Sequence, residues 1–152
     1  MYQDFMLALK STLDKAGRDI ATKIGIKTFV DLDDTVNAAE ALQSNKPMVM
    51  WRLLTLDDAP RDPLYQAQFV MGVSTFQDAS NYTLLGFTGA VKETFQVGDA
   101  LDIYDWSKAA APAPADKRGY MLFTANGIDP QAQEAETGYR LMSIEARVAR
   151  TA

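Results

Sequence analysis

A chain of 152 residues, 47% hydrophobic and 23% charged, has the size and composition of one globular domain spanning 1–152. It contains no cysteine and no histidine, which excludes disulfides, thiolate ligands and every hydrolase mechanism that relies on a histidine base. With 20 acidic against 15 basic residues the net charge is −5, and no basic run exceeds Lys117-Arg118, so tight nucleic-acid binding is disfavoured.

The lack of cysteine fits a reducing compartment. Chemistry is left to carboxylates, Lys, Tyr, Ser and Thr, with Mg²⁺ or Ca²⁺ held through oxygen. No apolar run approaches the roughly 20 residues needed to cross a bilayer. The opening MYQDFMLALK carries Asp4 and no basic region, so a signal peptide is not expected.

The first segment reads as an amphipathic helix. Tyr2, Phe5, Met6, Leu9 and Leu13 recur at helical spacing, with Asp4, Lys10 and Asp14 off the stripe. Ala16, Ile20 and Ile24 continue it to a stop at Gly25. Gly17, inside that extension, costs about 1 kcal/mol relative to Ala. Residues 26–35 are ambiguous, 37–42 form a short helix, and Asn45-Lys46-Pro47 breaks it.

From there the pattern turns to strands. Residues 48–56 (MVMWRLLTL) and 64–76 (LYQAQFVMGVSTF) are linked by DDAPRDP. That link is too short for a crossover helix, so the two strands should be antiparallel neighbours. In the second strand Tyr65, Ala67, Phe69, Met71 and Val73 point one way, with Gln66 and Gln68 opposite. A helix over 79–96 follows, with an inward stripe of Leu84, Thr88, Val91 and Phe95 and a stop at Gly98. Residues 100–106 (ALDIYDW) alternate as a strand, and 107–118 reads as an extended, mobile Ala/Pro linker. Strands over 119–125 and 138–149 close the chain around an acidic loop. The expected class is α+β: a mostly antiparallel sheet with N-terminal and central helices packed on one face.

Two features bear on chemistry. Asp31, Asp33 and Thr35 resemble the first motif, DxDxT, of haloacid dehalogenase-like phosphatases. That resemblance implies a Mg²⁺-dependent phosphatase with Asp31 as nucleophile and Asp33 as acid/base. The family's later GDxxxD-type motif does not follow: after Gly98-Asp99 the next acid is Asp102, and Ile103 holds the required place. The expected fold also lacks the family's parallel strands separated by helices. The competing expectation is a loop in which Asp33 or Asp34 caps the helix that follows. The second feature is a set of acidic clusters, Asp57-Asp58 with Asp62, and Asp99 with Asp102 and Asp105. They lack calcium-loop spacing and read as solvated charge, so neither metal nor cofactor is expected.

The sheet gives a different signal. In 48–56 both faces carry large apolar residues: Met48, Met50, Leu54 and Leu56 on one, Val49, Trp51 and Leu53 on the other. With helices on one side only, apolar area is left on the second, and such patches mark association surfaces.

The order helix, hairpin, helix, strand, hairpin resembles the tail terminator (tail completion) proteins of long-tailed bacteriophages. The likeness is carried by LYQAQFVMGVSTF, LLGFTGAVKETFQVGDALDIYDW and GYRLMSIEARVAR. It implies a homohexameric ring at the head-proximal end of a tail tube. That ring would end tube polymerisation and join the tube to the neck or connector protein. Its further partners would be the tube protein and, in a contractile tail, the sheath protein. DNA would pass through the lumen without specific binding. The protein would reside in the virion tail or neck after assembly in the host bacterial cytoplasm, with no membrane partner and no catalytic residues. Trp51, Arg52, Tyr104 and Trp106 are the expected subunit-contact residues, since Trp, Tyr and Arg favour interfaces.

Overall fold

A computed structural model describes residues 2–43, 46–58, 64–75, 82–107, 117–128 and 139–151. Helix α1 (Tyr2–Lys23) leads into strand β1 (Thr28–Asp31) and helix α2 (Thr35–Gln43). Strands β2 (Met48–Asp58) and β3 (Leu64–Ser74) precede helix α3 (Tyr82–Thr94). Strands β4 (Ala100–Tyr104), β5 (Lys117–Ile128) and β6 (Tyr139–Arg150) complete the chain.

Among the described residues six strands form one sheet in the order β1-β2-β3-β6-β5-β4. Every pair is antiparallel except β1–β2. The chain is therefore α+β, and β2 and β3 are antiparallel neighbours as their short link requires. The ambiguous segment 26–35 resolves into the one parallel edge strand, with α2 as its crossover to β2. Its four residues are too few to show a period.

Helix α1 buries the face its spacing predicts: Phe5, Leu9, Leu13, Ala16 and Ile20 are all buried against the sheet. It ends at Gly25, whose φ of 76° suits glycine. The Ile26 N–H donates to the Ala21 carbonyl at 2.8 Å and the Gly25 N–H to that of Thr22 at 3.1 Å, a Schellman closure. Gly17 has a packing role that its helix propensity conceals. A Cβ there would meet the ring of Phe29, so the missing side chain lets β1 lie against α1.

Helix α3 covers the same face of the sheet. Leu84, Phe87, Val91 and Phe95 join Phe69 and Phe123 in the main core. Phe95 sits edge-on between Phe69 and Phe123, with ring centroids 5.2 Å away on each side. Asn126 of β5 reaches back to cap the helix, its side-chain amide donating to the carbonyls of Val91 and Phe95.

The N-terminal and central helices thus share one face as expected, while helix α2 lies elsewhere. It packs on the opposite face, where Ala38 joins Val30, Met48 and Met50 in a second small core. Met48 and Met50 serve this second core, Val49, Trp51, Leu53 and Leu56 serve the main one, and Leu54 belongs to neither. Several boundaries also move. Asp57 and Asp58 belong to β2, Lys117 and Arg118 begin β5, and Asn126–Ile128 extend it. Of the expected 107–118 linker, residues 108–116 lie outside the described residues, as do Phe76, the first residues of the predicted 79–96 helix, and 129–138 of the acidic loop.

Candidate association surface

The Asp31–Thr35 motif lies at the end of β1, an edge strand rather than a central one. The Asp33 N–H donates to the Asp31 carboxylate at 2.9 Å, and the Asp34 N–H donates to the Asp31 carbonyl at 3.0 Å. Asp34 then caps α2: its carboxylate accepts the Asn37 N–H, and its carbonyl accepts the Ala38 N–H at 2.9 Å. The Asp33 carboxylate faces Arg52 at 3.2 Å and Lys10 at 3.8 Å. These carboxylates thus start a helix and pair with cations. Among the described residues no three acidic side chains converge to hold a metal ion.

The four contact candidates are placed very differently. Trp51 is 1% exposed and belongs to the main core, where its indole N–H donates to the Asp14 carboxylate at 3.3 Å. It offers no surface to a partner. Arg52, its neighbour, points to the opposite face and is exposed. Tyr104 and Trp106 do come together, edge to face with centroids 6.0 Å apart, and Lys15 of α1 lies 4.6 Å from the centre of the Trp106 ring.

Among the described residues, nothing covers the second face of the sheet beyond the reach of α2. Leu54 on β2 is 45% exposed, and Tyr120 and Leu122 on β5 are about 40% exposed. Arg52, Gln66, Glu145 and Arg147 lie exposed among them. Leu54 is pushed outward by a bulge in β2 between Leu53 and Thr55. The open face is close to charge balance, since Arg52 pairs with Asp33, Lys117 pairs with Asp102 at 2.9 Å, and Glu145 neighbours Arg147. The net charge of −5 is not concentrated there. The Asp102 hydrogen bond raises the Lys117 pKa above the ordinary lysine value, against a weaker desolvation effect.

Both ends of the sheet are strand edges, β1 and β4. The β4 edge runs beside α1 and forms with it a groove of about 460 Å³, lined by Lys15, Asp19, Leu101, Asp102, Tyr104 and Trp106. Ser11 and Thr12 of α1 tie the end of β4 to the helix beside it. The Tyr104 N–H donates to the Thr12 hydroxyl at 3.2 Å, the Ser11 hydroxyl donates to the Tyr104 carbonyl at 2.9 Å, and the Trp106 N–H donates to the Ser11 hydroxyl at 3.0 Å. Sequence reasoning passed over both hydroxyl residues. Their only signal is a pair of polar residues set between Leu9 and Leu13 on a buried helix.

Among the described residues no helix is long and apolar enough to cross a membrane. No protein-family model matches the chain, and no curated protein matches its sequence.

Proposed function

We propose that this chain is a structural virion protein of the tail-terminator kind. It forms a ring that caps the head-proximal end of a phage tail tube, ends polymerisation and joins the tube to the neck. The observation that carries this reading is the half-covered sheet. Helices α1 and α3 close one face, α2 closes only the β1–β2 corner of the other, and Leu54, Tyr120 and Leu122 stay exposed on the remainder. Apolar area displayed on a sheet face is commonly covered by another chain. The element order agrees with the resemblance: N-terminal helix, β2–β3 hairpin, central helix, β4, then the β5–β6 hairpin. The β1–α2 unit is an addition to it.

In this reading the partners are further copies of the chain, the tube protein and the neck protein, with the sheath protein added in a contractile tail. One ring face matches the last tube ring, and the other offers no surface for a further tube subunit. DNA crosses the lumen without specific contacts, in keeping with the acidic balance of the chain and the lack of a basic run. The Asp31 turn starts α2 and takes no part in catalysis. Negative-stain microscopy of the purified protein tests the reading. Closed six-fold rings with a central channel are expected, and fields of single small particles at micromolar concentration refute it.

A further inference from the structure

The two edges of the sheet match each other. On β5, Phe123 exchanges hydrogen bonds with the Gly98–Asp99 turn, the carbonyl accepting from Gly98 and the N–H donating to Asp99. Leu101 and Ile103 therefore bond inward to β5, by the alternation of an antiparallel ladder, while Ala100 and Asp102 direct their N–H and C=O outward. On β1 the Leu32 N–H donates to the Trp51 carbonyl. The same alternation turns Thr28 and Val30 towards β2 and leaves Phe29 and Asp31 facing out.

We propose that the β4 edge of one copy pairs in parallel with the β1 edge of a second copy, Ala100–Ile103 lying opposite Thr28–Asp31, so that one sheet continues from copy to copy. In this register the Ala100 N–H donates to the Lys27 carbonyl and the Phe29 N–H to the Ala100 carbonyl. The Asp102 N–H donates to the Phe29 carbonyl and the Asp31 N–H to the Asp102 carbonyl. The next partners would be the Tyr104 N–H and the Asp31 carbonyl. Each is already engaged within its own copy, the first by Thr12 and the second by the Asp34 N–H. The open groups on the two edges run out at the same rung.

Side chains and charges agree with that register. Val30 and Asp102 both lie on the α2 side of the sheet, and Phe29 and Leu101 both lie on the α1 side. Phe29 comes to the groove between α1 and β4. Lys27, one residue before β1, falls opposite Asp99, and both are exposed in the single chain.

The stagger of the sheet decides what such pairing builds. Val30 shares a rung with Leu141, and Asp102 shares one with Ala149, eight residues further along β6. Eight residues advance about 26 Å along the strands, while six strand spacings cover about 29 Å across them. Copies related by rotation alone then need their strands tilted by about 42°, inside the roughly 35–45° of closed β-barrels. A tilt in that range lets edge-paired copies close into a ring, although the pairing by itself does not impose closure. This deepens the ring reading and rests on it for closure.

Because the chain has no cysteine, paired substitutions report the register directly. The Thr28→Cys/Ala100→Cys double variant, oxidised mildly at micromolar concentration, should give a ladder of covalent multimers on a non-reducing gel. The Thr28→Cys/Asp102→Cys control is out of register by two residues, about 8 Å between Cα atoms, and should cross-link at least tenfold less. Ala100→Pro removes an outward N–H that has no partner among the described residues, so it should fold and yet abolish multimers. Rings seen without the 28–100 cross-link overturn the edge pairing and leave the ring standing. A cross-linked ladder with no closed species supports the pairing and refutes the ring. Equal cross-linking of both cysteine pairs overturns the register.

Discussion

Thr12 and Tyr104 hold each other across the helix–sheet boundary: the Thr12 hydroxyl accepts the Tyr104 N–H at 3.2 Å and shares its own proton between the carbonyls of Ala8 and Tyr104. Thr12 is 3% exposed, so no solvent replaces it. Thr12→Val keeps the shape and removes every one of these bonds. The Tyr104 N–H then has no partner, at a cost of about 1–3 kcal/mol. A lower urea midpoint with an unchanged slope checks this, and an unchanged midpoint contradicts it.

Phe95 is the keystone of the aromatic row Phe69–Phe95–Phe123, which ties the end of α3 to the centre of the sheet. It is fully buried. Phe95→Ala should cost about 3–5 kcal/mol, through lost burial and the cavity left behind. Denaturant unfolding measures the loss, and one below about 1 kcal/mol would show that the row is not packed as described.

Asp34→Ala removes the cap of α2 and should cost about 1 kcal/mol. Because α2 packs mainly on β1, the loss should be local. Hydrogen exchange should quicken in 35–43 and leave the β3–β6 centre protected. Uniform acceleration throughout the sheet would contradict the separate corner core.

The Lys117–Asp102 pair gives a pH signature. A lysine whose folded pKa is raised contributes stability that is complete below its unfolded value and fades as pH rises through the folded one. Asp102→Asn should therefore lose a small, salt-sensitive increment at neutral pH. The difference from wild type should close only in strong alkali, above the ordinary lysine range. Denaturation midpoints between neutral and alkaline pH follow this, and a difference that widens with pH would contradict it.

The antiparallel sheet and its helices were legible because their signals are local. The alternation in Tyr65–Val73 and the stripe from Phe5 to Ile20 state which side faces the core, and both are buried as expected. The short helix expected over 37–42 is α2, but β1 and its parallel pairing with β2 were not legible. A four-residue strand carries no period, and its partner lies twenty residues away at Met48–Trp51. Trp51 shows the limit of residue-type reasoning. Tryptophan favours interfaces, yet parity along β2 sends Trp51 to the core and Arg52 to the open side. Which edges remain open, and that their free groups match, depends on the strand order. That order emerges only when β6 inserts between β3 and β5.

A cyclic assembly held by sheet continuity must show itself as mass in solution. Sedimentation velocity on the purified chain should reveal a species of six 16.7 kDa copies, about 100 kDa, that grows with concentration and is lost in Ala100→Pro. A single boundary at the mass of one chain across the whole micromolar range would contradict the account.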